Sequence, residues 1–355
     1  MAKKQSKPEL NERARNILKA IVREYVRTGK PVGSRRLAKI YREGVSAATI
    51  RNVVSDLEEL GFVAQPHTSA GRVPTPLGYR FYVDSLTQTR ELAGEQAKKI
   101  KQSLEQEPDP GELMSKASQL LSALSNNLGF VITGPVSLAL MKHVEFVKIS
   151  EQRILAILVT TTGFVQHRIV HVDENLSQSD LDQAGRYLVE HFRGKTLVQM
   201  RDELINLMME EKALYDRMLK NVVLLGSASL MNNDGDNNQE SEVYFGGTAQ
   251  IIQKAGVVDI NRMIVLFQTF EEKSRLVKII TECIREDQLG PTVTIGLEKH
   301  IPGMRDWALI SSPYLHDQRI MGSLGVMGPA RMEYEKAISL VDYVAKLFGK
   351  ILSSN

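Results

Sequence analysis

Glycines divide the first sixty residues into three short amphipathic segments, and this division most constrains the fold. The first segment ends at Gly29 and Pro31, because glycine readily adopts the left-handed cap conformation and proline cannot continue a helix. Ser34 is expected to cap the second segment, and Ser46 the third, which Gly61 closes. Short helices joined by tight glycine-containing turns are typical of the helix–turn–helix motif. The sequence therefore predicts this motif at its N-terminal end.

The third segment has two chemically different faces. One face is an apolar stripe that predicts packing against the other helices: Ile50, Val53, Val54, Leu57 and Leu60. The opposite face is small and polar at first and then acidic, which suits a helix that enters the major groove by its N-terminus. Arg51 can bind guanine and Asn52 can bind adenine through paired hydrogen bonds, although both could also be ordinary solvated residues. The predicted base-reading residues are Ser46, Ala48, Thr49, Arg51, Asn52 and Ser55.

A β-hairpin is predicted directly after this helix. Residues 62–64 and 72–74 favour two short strands around a loop of small residues, and Thr75 with Pro76 favours the start of another helix. A hairpin in this position is a wing, whose hydroxyls, amides and arginine suit contacts to phosphates or to the minor groove. Arginines at the start of the second helix can reach phosphates as well. The predicted backbone contacts are Arg35, Arg36, His67, Thr68, Ser69, Arg72 and Arg80.

Charge is distributed unevenly along the chain. Residues 1–90 carry 17 Lys and Arg against 8 Asp and Glu, a net charge of +9. The rest of the chain carries 28 against 34, a net charge of −6, so the total of +3 conceals the difference. A basic segment joined to an acidic remainder indicates a polyanion-binding module on a separate body, although a lysine-rich solvated surface would give the same count.

The sequence offers little for enzymatic, metal or membrane function. Cys283 is the only cysteine, which excludes an internal disulfide framework and a multi-cysteine zinc site. The seven histidines are scattered, and no segment matches a dinucleotide loop, a P-loop or a nucleophile elbow. No stretch approaches the roughly 20 apolar residues that span a membrane, and no apolar run follows the N-terminal lysines. We therefore predict a cytoplasmic protein that is not an enzyme and uses no metal or cofactor.

The remaining three quarters predict a mixed architecture. Residues 89–127 are expected to form linker helices, interrupted near Pro108 and Pro110. Strand patterns follow in two groups, at 143–150, 153–163 and 164–172, and then at 292–298, 307–315 and 319–328 before a final helix from Tyr334. Helical patterns at 177–193, 196–220 and 271–286 separate the two groups, with an acidic loop at 231–242. This alternation predicts an α+β domain that carries an inserted domain.

Four runs of sequence resemble the HrcA family of heat-inducible transcription repressors. They are VGSRRLAK (32–39), VSAATIRNVVSDLEELGFV (45–63), HTSAGRVPTPLGYRFYVDSL (67–86) and GPARMEYEKAISLVDYVA (328–345). The resemblance implies an α+β multidomain chain with a winged helix–turn–helix, then a GAF-like α+β domain with an inserted, mostly helical dimerisation domain. The expected boundaries are 1–88 for the DNA-binding domain, 89–127 for the linker, 128–175 with 288–355 for the GAF-like domain, and 176–287 for the insertion.

A homodimer on double-stranded DNA is the expected working form. One reading helix offers about four base-contacting side chains, which is too few to single out a genomic site, whereas two copies double the contacts and imply an inverted-repeat operator. By resemblance, that operator precedes heat-shock chaperone genes, and repression depends on a GroEL-type chaperonin that heat diverts to other clients. The alternative is a winged-helix regulator whose GAF-like domain senses a small-molecule effector.

Overall fold

The computed structural model describes most of the chain. The described residues are 10–41, 46–67, 70–86, 92–134, 139–161, 163–172, 175–209, 221–226, 243–247, 289–299, 304–316 and 319–354. The predicted helix 271–286 and the predicted loop 231–242 lie outside these residues, as do residues 210–220 of the predicted helix 196–220.

The N-terminal residues form a winged helix, here called the head. Its elements are α1 (Glu12–Thr28), α2 (Ser34–Ile40), α3 (Ala47–Glu59), β1 (Val63–Ala64), β2 (Val73–Pro74) and α4 (Pro76–Asp84). The strands β1 and β2 pair antiparallel, and the expected caps Ser46 and Thr75 accept backbone hydrogen bonds at the starts of α3 and α4. Gly29 ends α1 with φ of 68°, in the left-handed region that suits glycine. The predicted winged helix is confirmed.

The start of α2 differs from the prediction. Gly33, and not Ser34, occupies the cap position, and no side chain caps the helix. Ser34 is the first helical residue, because the carbonyl of Gly33 already accepts the hydrogen bond from the Leu37 N–H at 3.0 Å. The expected Ser34 cap is therefore wrong.

Two helices connect the head to a five-stranded antiparallel sheet. The linker helices are α5 (Gly94–Glu105) and α6 (Pro110–Ser125), with the predicted break between them. The sheet contains β3 (Leu128–Thr133), β7 (Val243–Gly246), β8 (Thr292–Ile295), β9 (Trp307–His316) and β10 (Arg319–Pro329), in the order β7-β3-β10-β9-β8. A short 3-10 turn, Leu297–Lys299, follows β8. The final helix α9 (Tyr334–Ser354) packs with α6 on this sheet, which gives the predicted α+β domain.

A second unit lies between β3 and β7 in the chain. It contains β4 (Met141–Lys148), β5 (Arg153–Thr160), β6 (Val165–His171), α7 (Gln178–Phe192), α8 (Leu197–Met209) and the helical residues 221–226. Its strands form a sheet of their own in the order β4-β5-β6, and Gly163 turns between β5 and β6 with φ of 83°. Buried residues on this sheet, including Phe146 and Ile154, pack with Leu181 and Leu188 of α7 in a separate core.

The expected grouping placed residues 128–175 together with 288–355. Among the described residues of the earlier segment, β3 and the adjoining Gly134 hydrogen-bond with the C-terminal strand β10, whereas β4, β5 and β6 bond to one another and pack on α7. The reason is that the apolar sides of these hairpins are covered by the helix that follows them at once in the chain. Among the described residues, no helix is long and apolar enough to cross a bilayer.

Candidate nucleic-acid interface

Helix α3 buries most of its predicted apolar stripe and presents its polar face to solvent. The expected packing of Leu60 is wrong: this residue caps the C-terminal end of the helix and is 44% exposed, and Val53 is half-buried. Ile50, Val54 and Leu57 are buried, and the helix packs against α1 and α2. Five of the six predicted base-reading residues are exposed, and Thr49 is half-buried; the exposed ones are Ser46, Ala48, Arg51, Asn52 and Ser55. Asp56 and Glu59 are exposed farther along the helix, so the predicted gradient from small polar to acidic residues lies on one accessible surface.

The polar side chains of this face differ in whether they already have hydrogen-bond partners within the protein. In the part of the chain that the structure describes, Arg51 and Asn52 make no side-chain hydrogen bond or ion pair, so their donors are available to base edges. Ser46 Oγ accepts from the Thr49 N–H at 3.1 Å and lies 2.9 Å from Thr49 Oγ1. Ser46 and Thr49 therefore form the start of the helix in addition to being candidate contacts.

Arg72 is directed toward the recognition helix and not away from the protein. Its Nη2 and Nε lie 2.6 and 2.8 Å from Oε2 of Glu58 on α3. Its backbone N–H donates to the Val32 carbonyl at 2.9 Å, and its carbonyl accepts from the Val32 N–H at 2.8 Å. Gly71 permits this approach, since a Cβ there would lie 2.5 Å from the Val32 carbonyl carbon. Arg72 thus fastens the wing to α3 and to the turn between α1 and α2.

The two arginines at the start of α2 have different surroundings. Arg36 Nε lies 3.0 Å from Oε1 of Glu24 on α1, and Arg27 Nη2 lies 2.8 Å from the same oxygen. Glu24 is only 9% exposed, and its hydrogen bonds from Arg27 and then Arg36 lower the pKa of its carboxyl group against the effect of burial. Arg35 is exposed and has no ion-pair partner among the described residues. Arg35 is therefore free to meet a phosphate, whereas Arg36 joins α2 to α1.

The remaining predicted backbone contacts fall in different places. Arg80 points toward the five-stranded sheet that, with α6 and α9, is here called the body. Its Nη2 and Nε donate to the Ile295 carbonyl of β8 at 2.6 and 3.2 Å. His67 is exposed at the tip of the wing. Thr68 and Ser69 lie outside the described residues. Of the seven predicted backbone contacts, Arg35 and His67 thus lie exposed and without a competing protein partner in the described structure.

Residues that join the head to the body were not singled out from the sequence. Arg23 on α1 and Tyr82 on α4 both donate to Oε1 of Glu335, at 2.9 and 3.1 Å, and the Tyr334 ring packs beside the Tyr82 ring. Tyr334 and Glu335 belong to the C-terminal run GPARMEYEK that carried part of the resemblance. That run was the available signal, although nothing local in it indicates the contacts of Glu335 with residues 312 and 253 positions earlier.

This head defines a class of protein. A helix–turn–helix with an exposed polar third helix and a two-stranded wing is the architecture of a winged-helix DNA-binding protein, which reads bases with that helix. The excess of positive charge in residues 1–90 fits a polyanionic partner.

Two family models together match most of the chain. Residues 9–86 match the winged helix-turn-helix transcription repressor model, HrcA DNA-binding, and residues 111–338 match the HrcA protein C-terminal domain. The chain belongs to the HrcA family. HrcA is a family of transcription repressors and not of enzymes, so the predicted family, DNA as partner and absence of enzymatic function are confirmed.

Relatives in other bacteria match nearly end to end. The heat-inducible transcription repressor HrcA of Geobacter sulfurreducens is 39% identical, over 97% of this chain and 98% of its own length. The proteins of the same name from Syntrophobacter fumaroxidans and Nitrosomonas europaea are 34% and 39% identical, each over 97% of this chain and 98% and 100% of their own lengths. A crystal structure of a hypothetical protein at 2.2 Å resolution shares the fold, with a TM-score of 0.62, 24% identity, and coverage of 98% of this chain and 99% of that one.

Proposed function

We propose that this repressor binds an inverted-repeat operator as a homodimer in the cytoplasm. The observation that carries the proposal is the accessible face of α3, where Arg51 and Asn52 are exposed and unengaged within the described structure. These two side chains and their neighbours Ala48 and Ser55 can read only a few base pairs. Two copies related by a two-fold axis read two such half-sites, and together they reach the discrimination that a genomic site demands.

Two copies have a suitable surface at which to meet. One face of the sheet β4-β5-β6 is buried against α7, while the other carries apolar side chains: Val147 is 37% exposed, Ile169 42% and Val165 60%. The strand register places Val147, Leu155 and Ile169 side by side across the three strands. Burying this row against the same row of a second copy removes apolar surface from water, as a two-fold interface requires.

Charge on the same face also suits a second copy. Glu145 on β4, Ile157 on β5 and His167 on β6 form the next row across the sheet. A two-fold axis parallel to β5 would set Glu145 over His167 of the partner subunit, and the reverse pair on the other side. A carboxylate set opposite an imidazole in this way can accept a hydrogen bond from the ring N–H, and this favours one register of the two copies. We therefore propose this open face as the dimer contact.

Selection of DNA from a random pool tests the proposal directly. The full-length protein should enrich two copies of one short motif in inverted orientation, with a fixed centre-to-centre distance near one helical turn or a multiple of it. Enrichment of a single unrepeated motif, or of no motif, would contradict the proposed dimeric repressor.

We propose that the repressor leaves its operator on heating because less chaperonin is then available to it. The relatives are named heat-inducible repressors, and the resemblance implies operators upstream of chaperone genes and a dependence on a GroEL-type chaperonin. If the chaperonin keeps the repressor folded, heat that occupies it with other clients lowers the amount of active repressor. Operator affinity measured with and without purified chaperonin, at growth and heat-shock temperatures, tests this step. Equal binding under all four conditions would contradict it.

A cleft between head and body supports the alternative that a small molecule regulates binding. It has a volume of about 440 Å³ and lies between α1, α4, α5 and the start of α9. Its lining includes Arg23 and Arg27, which pair with Glu335 and Glu24, and also the carboxylates of Glu333 and Glu335. Lys336, which has no ion-pair partner among the described residues, lies in the same lining with the apolar Val26 and Met332 and could bind an anionic effector with an apolar part. A thermal-shift screen of anionic metabolites distinguishes this alternative, which requires a ligand that both stabilises the protein and changes operator affinity.

A further inference from the structure

Glu335 connects the head to the body through directional contacts. It lies in the first turn of α9, and its Oε1 accepts hydrogen bonds from Arg23 Nη2 at 2.9 Å and from Tyr82 Oη at 3.1 Å. Arg23 Nε in turn donates to Tyr82 Oη at 3.3 Å, and its guanidinium lies 5.9 Å from the Tyr82 ring centre. The side chains of Arg23, Tyr82 and Glu335, from α1, α4 and α9, therefore form a triangle in which each one hydrogen-bonds with the other two. Hydrogen bonds to charged groups are the stronger and more directional ones.

Aromatic packing surrounds these three side chains, but it constrains the orientation of the head less than their hydrogen bonds do. The buried Tyr334 ring lies 5.9 Å from the ring of Tyr79 and 6.5 Å from that of Tyr82, and its hydroxyl donates to the Ala330 carbonyl at 2.7 Å. Apolar contact of this kind attracts two surfaces without selecting one orientation. The Tyr79 hydroxyl is buried and has no hydrogen-bond partner among the described residues, which raises the free energy of the observed arrangement. Directional contacts elsewhere are needed to hold the head in place.

Two other contacts limit the rotation of the head. Arg80 donates to the Ile295 carbonyl, as described above, from the opposite end of the interface. The Arg331 guanidinium covers Gly29 so closely that a Cβ on that glycine would overlap Nη1. Arg80 and Arg331 make their contacts at backbone positions, whereas Glu335, among the described residues, accepts side-chain hydrogen bonds from two helices of the head.

We propose that Glu335 is a positioning residue that sets the orientation of the head on the body. In the proposed homodimer, which this inference presupposes, that orientation fixes the separation of the two α3 helices. Half-site separation on DNA must match this distance, because two half-sites face the same side of the duplex only at whole turns. Loss of Glu335 therefore relaxes the preference for one spacing and leaves base preference within each half-site intact.

The test uses full-length protein and a set of operators that differ only in spacer length. The wild type, Glu335→Gln and a control, Lys346→Gln, are titrated against inverted repeats with the selected spacing and with one to five base pairs added or removed. Lys346→Gln removes an ion pair with Asp342 on the same helix α9, away from the head. We expect the wild type and the control to favour one spacing by about tenfold, and Glu335→Gln to lose most of that preference.

A second variant and two further measurements keep the outcome interpretable. The exchange Arg23→Glu with Glu335→Arg restores opposite charges across the interface, and it should recover part of the spacing preference. Thermal unfolding and affinity for a single half-site report whether Glu335→Gln folds and reads bases normally. A wild-type protein without any preference for inverted repeats would contradict the proposed dimeric function. A wild-type spacing preference that Glu335→Gln retains, or equal weakening at all spacings, would overturn the role of Glu335 alone.

Discussion

The Arg72 guanidinium binds the Glu58 carboxylate at 2.6 and 2.8 Å, and this pair joins the wing to the recognition helix. Both side chains are partly shielded, at 23% and 32% exposed. An arginine held in this way orients the wing before DNA arrives, and it cannot leave for a phosphate without leaving Glu58 unpaired. The expected contact of Arg72 with the DNA backbone therefore competes with a structural role.

This competition predicts the behaviour of Glu58→Ala. If Arg72 acts by positioning the wing, Glu58→Ala and Arg72→Ala should weaken operator binding by similar amounts, about 1–3 kcal/mol, because each removes the same charged hydrogen bonds. Fluorescence anisotropy titrations measure both. Glu59→Ala is the matched control, since it removes an exposed carboxylate from the same helix and should bind at least as tightly as the wild type. Tighter binding by Glu58→Ala would assign Arg72 to phosphates instead.

The exposed face of α3 predicts changes in specificity. Arg51→Ala and Asn52→Ala should each cost about 1–3 kcal/mol per half-site and relax selection at individual base positions, because each removes paired hydrogen bonds to one base in each half-site. Affinity for unrelated DNA should change much less. Titration of operator variants at each base pair, beside a random duplex, gives both quantities. Equal losses on operator and random DNA would show that the face of α3 was assigned incorrectly.

Substitutions of the two neighbouring arginines of α2 should affect different properties: DNA affinity for Arg35 and folding stability for Arg36. Arg35 is exposed and unpaired within the described structure, so Arg35→Ala should weaken binding to all DNA and reduce the slope of log affinity against log salt by about 0.9 for each copy bound, or about 1.8 for the proposed dimer. Arg36 binds Glu24, so Arg36→Ala should lower the unfolding temperature and change the salt slope less. Anisotropy titrations at several salt concentrations and thermal unfolding measure the pair. A larger change of salt slope for Arg36→Ala than for Arg35→Ala, with the larger loss of unfolding temperature for Arg35→Ala, would contradict these roles.

Glu24 makes the stability of the head depend on pH. Its pKa is lower in the folded chain than in the unfolded chain, mainly because of the hydrogen bonds from Arg27. The stabilisation is therefore fully present above the unfolded value, about pH 4.3, and is lost as pH falls through the folded value. Glu24→Gln should unfold at a lower temperature than the wild type near neutral pH, and the difference should shrink in acid. Circular dichroism melts across this range measure it.

A control variant isolates this effect of Glu24 from general acid sensitivity. Glu95→Gln removes an exposed carboxylate that pairs with Lys99 along α5, and it should follow the wild type throughout. A difference between Glu24→Gln and the wild type that stays constant with pH would mean that the carboxylate contributes through packing and not through its charge.

The open face of the sheet β4-β5-β6 predicts the oligomeric state. Val147→Asp combined with Ile169→Asp places two carboxylates in the exposed apolar row and should convert the proposed dimer to a monomer, because unpaired charges are costly to bury. Sedimentation velocity at several concentrations measures the mass. Ile320→Asp is the matched control, since it changes an apolar residue of similar exposure, 41%, on the other sheet. A dimeric double variant, or a monomeric control, would contradict the proposed contact.

Features fixed by neighbouring residues were predicted well. Ser46 and Thr75 cap their helices, Gly29 ends α1, and the polar face of α3 is exposed, since each depends on residues within about one helical turn. The linker break follows from local backbone preferences in the same way. The Ser34 cap was predicted wrongly although it is a local feature too. Gly33 is the cap, so α2 begins at Ser34, one residue earlier than predicted.

The roles of the arginines needed the tertiary structure. The sequence marked Arg36, Arg72 and Arg80 as cations suited to phosphates, and charge alone cannot distinguish a phosphate from Glu24, Glu58 or a backbone carbonyl. Their partners lie 12, 14 and 215 residues away, and only packing brings them within reach. The assignment of β4, β5 and β6 to a separate sheet likewise depends on which helix covers them.

The sequence by itself determined the helix–turn–helix, the wing and the exposed polar face of α3, because helix periodicity, caps and turns are local properties of the chain. The tertiary structure decided which cations remain free for DNA and how the head is held against the body. Glu335 illustrates the difference: it is an ordinary residue of α9 in the sequence, and it receives bonds from Arg23 and Tyr82 only because folding joins the two ends of the chain.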